Sequence, residues 1–137
     1  MKDGHRVPKM LSDAKTDLLV TAVEITDSDH PVGKCFTNTN ISESQGPHPD
    51  SSMSLVDIAL ATSAAPTYFP VHQTGGRSFA DGGLIANNPS MYAQFEAENL
   101  VENPNDILHI SFGTGFNKGD NSNHTTVKNQ DSGLAWA

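Results

Sequence analysis

Residues Arg77-Ser78-Phe79-Ala80-Asp81-Gly82-Gly83-Leu84-Ile85-Ala86-Asn87-Asn88-Pro89 carry the reading of this chain. Arg77 to Ala80 fits a short strand that leads into Asp81. Beyond it, Asn88 suits a helix N-cap and Pro89 the first helical position, so a helix is expected through about Glu102, stopped by Asn103-Pro104-Asn105. Ile107-Leu108-His109-Ile110-Ser111-Phe112 then reads as a strand of the buried type, ended by Gly113-Thr114-Gly115. Strand, helix and strand in succession argue for a parallel α/β unit with a right-handed crossover. Ligands collect beyond the carboxyl ends of strands in such a sheet. Parallel neighbours over 77–80 and 107–112 would therefore set Asp81 and the Gly113-Thr114-Gly115 turn at one edge.

Upstream, Leu18 to Ile25 is apolar at first and then alternates, with Val23 and Ile25 on one face and Glu24 and Thr26 on the other. That pattern predicts a strand. Asp27-Ser28-Asp29-His30-Pro31 supplies a turn, and Lys34 to Asn38 can return as an antiparallel partner. Residues 40–52 read as a loop. Ser54-Leu55-Val56-Asp57 has the Ser-x-x-acid form of a capping box, so a buried helix should start there, run to about Ala64 and end before Pro66. No repeat or linker divides the 137 residues, which predicts a single domain. The polar stretch 116–137 is expected to be a flexible tail.

Charged residues make up 18% of the chain, below the roughly 25% of an average globular protein. The formal net charge of −8 opposes contact with phosphate backbones, which excludes nucleic acid as the expected partner. Basic clusters that would mark an anionic membrane are also missing. Cys35 is the only cysteine and has no adjacent base, so it reads as a small buried strand residue in a chain without internal disulfides. The longest apolar stretch, Leu55 to Ala65, contains Asp57 and is too short to span a bilayer. With no apolar core in the first ten residues either, a cytoplasmic location is expected. Asn40 and Asn123 fit the glycosylation triplet but read as plain loop sequence.

His5, His30, His48, His72, His109 and His124 are dispersed, without metal-ligand spacing. Pro31 and a missing terminal glutamate reject a calcium loop at Asp27-Ser28-Asp29. The Gly113-Thr114-Gly115 turn lacks the Lys-Ser/Thr of a phosphate loop. No metal or cofactor is expected.

Three blocks occur in order: Ala61-Thr62-Ser63-Ala64-Ala65-Pro66-Thr67-Tyr68-Phe69-Pro70, then Asp81-Gly82-Gly83-Leu84 with Asn87-Asn88-Pro89, then Ser111-Phe112-Gly113-Thr114-Gly115. Together they resemble the patatin-like phospholipases over about residues 17–115. The resemblance implies part of a three-layer α/β/α fold with a mainly parallel sheet. It also implies a lipid acyl hydrolase that uses a serine–aspartate dyad without metal. Asp81 matches the aspartate that accepts the serine proton, and Gly82, Gly83, Asn88, Gly113, Thr114 and Gly115 match the supporting active-site loops. As a bare Asp-Gly pair, Asp81-Gly82 would be read only as a turn, and helix capping alone accounts for Asn88.

The family's G-x-S-x-G serine elbow and its glycine-rich oxyanion loop are absent from the 137 residues. Among the serines only Ser78 has a glycine two residues before it, Gly76, and it lies inside a strand where an elbow serine would join strand to helix. The chain is therefore expected to be the C-terminal half of such a domain, completed by a missing N-terminal half or a partner chain and inactive alone. Its substrate in the complete domain would be a lipid or other acyl ester, with peripheral membrane contact left open. The competing expectation is a non-enzymatic, truncated or degenerate module acting as a binding or regulatory subunit.

Overall fold

The computed structural model describes residues 7–27, 30–39 and 49–113. Strands β1 (Leu19–Glu24), β2 (Val32–Thr37), β3 (His72–Thr74) and β4 (Arg77–Asp81) form one sheet in the order β2-β1-β4-β3. Every pairing is antiparallel. The helices are α1 (Leu55–Thr62), the four-residue α2 (Gly83–Ala86) and α3 (Ser90–Leu100).

The expected hairpin forms from β1 and β2, with Leu19 opposite Thr37 and Glu24 opposite Val32. Asn38 closes its open end by accepting from the Leu18 amide at 2.8 Å and donating to the Thr16 carbonyl at 3.1 Å. A second hairpin, β3 with β4, turns at Gly75 and Gly76, whose φ values of +57° and +75° suit the mirror-image turns that match strand twist. Helix α1 begins where its capping sequence places it: Ser54 Oγ accepts from the Asp57 amide at 3.0 Å.

Directly opposed residues of antiparallel strands share a face. The register thus puts Ala22, Phe36 and Phe79 together, and they are buried against Leu11, Ile58 and Ala61. The Phe36 and Phe79 rings meet edge to face at 5.3 Å. Each large side chain buried here stabilises the fold by roughly 1.5–3 kcal/mol. On the opposite face stands Ile85 of α2, so close to Gly33 that a methyl group there would come within 3.2 Å of its Cδ1. At one end of the α1 face, Arg77 holds Glu24 at 2.6 and 2.9 Å and reaches Asp50 at 3.2 Å. Lys34 pairs with the same Asp50 at 2.6 Å.

The parallel arrangement expected at Asp81 is not what the described residues form. Strand β4 has β1 on one side and β3 on the other, so it offers no free edge along which 107–112 could pair. That segment forms no strand or helix, with Leu108 82% and Phe112 91% exposed. Helix α3 is present as expected, ending at Leu100, two residues short of Glu102, and α2 precedes it. Asn40, Asn123 and the stretch 116–137 lie outside the described residues.

Candidate active site

Asp81 closes β4 at the point where strand gives way to helix, and the backbone around it is held from two directions. Its amide donates to the carbonyl of Ala64 at 3.0 Å, and the Gly82 amide donates to that of Thr62 at 3.1 Å. Thr62 is the last residue of α1, whose final carbonyls have no partner inside the helix, and Ala64 lies two residues beyond it. The helix end therefore fixes the height of the aspartate turn.

Gly82 holds the turn against the sheet. Its φ of −65° and ψ of −24° are open to any residue, so backbone freedom is not the reason for glycine. A Cβ here would collide with the carbonyl oxygen and Oγ1 of Thr21 in β1. Gly83 serves the carboxylate: its amide donates to Asp81 Oδ1 at 2.5 Å, and a Cβ on it would lie 2.9 Å from that oxygen and 3.3 Å from Asn87 Oδ1. Asp81 Oδ1 is thus pinned, while no described residue donates to Oδ2.

Two clefts meet at this carboxylate. One, of about 360 Å³, is walled by Ala65, Pro66, Thr67, Tyr68 and Leu84 together with Asp81, Gly83 and Asn87. The other, of about 280 Å³, lies toward Leu19, Thr21, Thr62 and Ala86. Thr67 in the first wall has φ +72°, a left-handed conformation that costs a β-branched residue roughly 1–3 kcal/mol and recurs at functional sites.

Asn88 stands one residue ahead of its expected place, because the N-cap of α3 is Pro89 and the helix starts at Ser90. Its Oδ1 still accepts from the Ser90 amide at 3.1 Å and from Ser90 Oγ at 2.5 Å. Ser90 Oγ also lies 3.1 Å from Ser111 Oγ, a hydroxyl contact that brings the 107–112 segment alongside the start of α3 across a third cleft of about 390 Å³. Gly113 is exposed at the end of that segment, and Thr114 and Gly115 lie outside the described residues. Sequence reasoning does not single out Thr21, Thr67 or Asn87. Thr67 and Asn87 do stand inside the quoted motifs, whereas nothing local marks Thr21.

One serine–aspartate contact does exist: Ser54 Oγ donates to Asp57 Oδ2 at 2.5 Å, and His72 Nε2 sits 2.9 Å from Asp57 Oδ1. This is the cap of α1 rather than a dyad. The Ser54 hydrogen bond, with help from His72, holds the Asp57 carboxyl below the usual range, which makes it a poor base. Ser78 sits in mid-strand opposite Gln73, far from an elbow geometry. Cys35 lies in β2, where burial, reinforced by Glu96, pushes its thiol up and away from the reactive thiolate. Among the described residues no group of three or more His, Cys, Asp or Glu side chains is placed to hold a metal ion, and no helix is long and apolar enough to cross a membrane. His5, His48 and His124 lie outside them.

The family profile described as patatin-like phospholipase matches residues 4–93, a stretch that contains Asp81, Gly82, Gly83 and Asn88 and stops short of Gly113. Among similar proteins, the cGAMP-activated phospholipase of Vibrio cholerae is 55% identical over 51 residues, covering 36% of this chain and 14% of its own length. Patatin-like protein 2 of Arabidopsis thaliana is 33% identical over 133 residues, covering 80% of this chain and 32% of its own. The calcium-independent phospholipase A2-gamma of Oryctolagus cuniculus is 41% identical over 66 residues, 48% of this chain and 8% of its own. The chain thus spans about a third or less of these relatives. No solved structure matches it.

Proposed function

We propose that this chain, which belongs to the patatin-like phospholipase family, supplies the proton-accepting half of a lipid acyl hydrolase whose nucleophilic serine comes from outside these 137 residues. The observation that carries this is the state of Asp81. One carboxylate oxygen is fixed by Gly83, the other accepts nothing from a described residue, and the group faces two clefts at the end of an interior strand. A general base needs that combination of fixed orientation and an accessible lone pair.

In the reaction, Asp81 takes the proton of the serine hydroxyl as its oxygen attacks the ester carbonyl carbon. It returns that proton to the departing alcohol when the tetrahedral intermediate collapses to the acyl-serine. Water, giving its proton to Asp81 in turn, then releases the fatty acid and restores the serine. The substrate class is the carboxylic ester of a phospholipid or related lipid. No metal or cofactor takes part in this scheme.

In the complete domain, Ile107–Phe112 would join a parallel part of the sheet contributed by the missing half, giving the three-layer arrangement implied by the family. Its exposed apolar side chains, Leu108, Ile110 and Phe112, support that role. Gly113, Thr114 and Gly115 would then approach the serine side of the site.

The test has two arms. The chain alone, assayed on a short-chain nitrophenyl ester, should show background turnover only, since loss of a catalytic serine costs on the order of 10⁶ in one well-studied protease. Fused to the G-x-S-x-G segment of a patatin-like relative, it should gain turnover that Asp81→Asn lowers by about 10²–10⁴-fold with little change in melting temperature. Near-normal turnover in the Asp81→Asn fusion would overturn the assignment. Activity of the lone chain that vanishes in Ser78→Ala would do so as well.

A further inference from the structure

We infer that Tyr68 and Leu84 on the wall of the Asp81 cleft, with Phe69 next to Tyr68 in the chain, form a docking surface for a net-neutral, zwitterionic phospholipid layer. This rests on the proposed lipid hydrolysis and names where the substrate layer would meet the chain. Tyr68 is 72%, Phe69 63% and Leu84 50% exposed, and Tyr68 and Leu84 line the cleft that holds Asp81. A cleft that must admit an acyl ester is bordered by the side chains that would enter its apolar phase.

The charge pattern selects the kind of lipid. The chain carries a net charge of −8, yet residues 58–71 and 82–95 contain no Asp, Glu, Lys or Arg. An anionic bilayer would repel the molecule as a whole and find no cation on the rim to hold. A zwitterionic surface presents no such field, and aromatic side chains settle at its headgroup level. The loop is also shaped for presentation: the amides of Tyr68 and Phe69 both donate to the Ala65 carbonyl, at 3.1 and 2.9 Å. That tight turn, flanked by Pro66 and Pro70, leaves both rings exposed on a short segment.

The experiment is flotation of the full 137-residue chain with phosphatidylcholine vesicles, alone or with about a third phosphatidylserine. Binding to the zwitterionic vesicles should survive high salt and weaken as anionic lipid is added. Tyr68→Ser/Phe69→Ser should lower the apparent affinity by roughly tenfold or more, since each ring loses its transfer into an apolar phase. Both positions are exposed, so the variant should melt like wild type. As an independent readout, Tyr68→Trp in a Trp136→Phe background should shift its emission to the blue on vesicle addition. Asp81→Asn should bind as wild type does, which separates failure of docking from failure of the hydrolytic assignment. Three results would each overturn the proposal: undiminished binding by the double variant, binding only to anionic vesicles, or no binding to either composition with unshifted indole emission from the Tyr68→Trp variant. Burial of the rings instead by a nucleophile-bearing segment, seen as protection of Tyr68 and Phe69 in that complex but not on vesicles, would also overturn it.

Discussion

Replacing Gly82 by alanine tests whether close packing, rather than backbone freedom, is what glycine supplies in the aspartate turn. At φ −65° alanine meets no torsional penalty. Its Cβ, however, would fall on the Thr21 carbonyl. Thr21 belongs to β1, which is hydrogen-bonded to β2 on one side and β4 on the other, so that oxygen cannot withdraw without breaking a ladder. The turn must lift instead, stretching the 3.1 Å bond from the Gly82 amide to Thr62. Overpacking against rigid backbone of this kind costs about 2–4 kcal/mol. For a chain of this length, that is roughly 8–15 °C in melting temperature. Thermal unfolding followed by circular dichroism measures it directly. Gly75→Ala is the control: nothing lies within 4 Å of its Cβ, but its φ of +57° costs about 1–2 kcal/mol. If Gly82→Ala melts within about 2 °C of wild type, or above Gly75→Ala, the close-approach explanation is wrong.

Other expectations follow from the same geometry. Arg77→Ala should cost about 2–4 kcal/mol in urea unfolding, because Asp50, only 1% exposed, keeps Lys34 but loses its guanidinium partner. Asn88→Ala should cost about 1 kcal/mol through the lost hydrogen bond from the Ser90 amide, with the midpoint moving and the slope unchanged. The carboxyls of Asp57, held low chiefly by Ser54, and Glu24, held low chiefly by Arg77, both have folded values below their ordinary 3.8 and 4.5. Their stabilising contribution is complete above those values and is lost as pH falls through the folded ones. Melting temperature should therefore drop on acidification below about pH 4.5, with a shallower drop in Asp57→Asn. A pH profile of Asp57→Asn parallel to wild type would contradict this.

What could be read from the residues was local. Ser54-Leu55-Val56-Asp57 announced the start of α1 because a cap is made within four residues. The β1–β2 hairpin followed from alternation around a turn. Asp81-Gly82-Gly83 marked the candidate site, but its support did not show, because Thr21, Thr62 and Ala64 reach it only through tertiary contact. The three-residue β3 is too short and polar to register by pattern, although Gly75-Gly76 marks its turn. The expected strand at 107–112 does not form among the described residues for the same kind of reason. Apolar, β-prone composition says that a segment could be a strand, whereas a strand exists only beside a neighbour, and β3 already occupies the far side of β4.

The grip of α1 on the aspartate turn has a dynamic consequence. Amide groups exchange with solvent as fast as the structure around them opens. Those of Asp81 and Gly82, tied to carbonyls at and just past the end of α1 beside an interior strand, should exchange with the slowest cooperative unit of the molecule. The opposing wall at 65–69 is a single turn, and no described group accepts from the Thr67 amide, so it should open on its own and much earlier. The cleft is then a hard anvil facing a soft jaw. In the proposed hydrolase, such a jaw would adjust to acyl groups of different length while leaving the carboxylate in place.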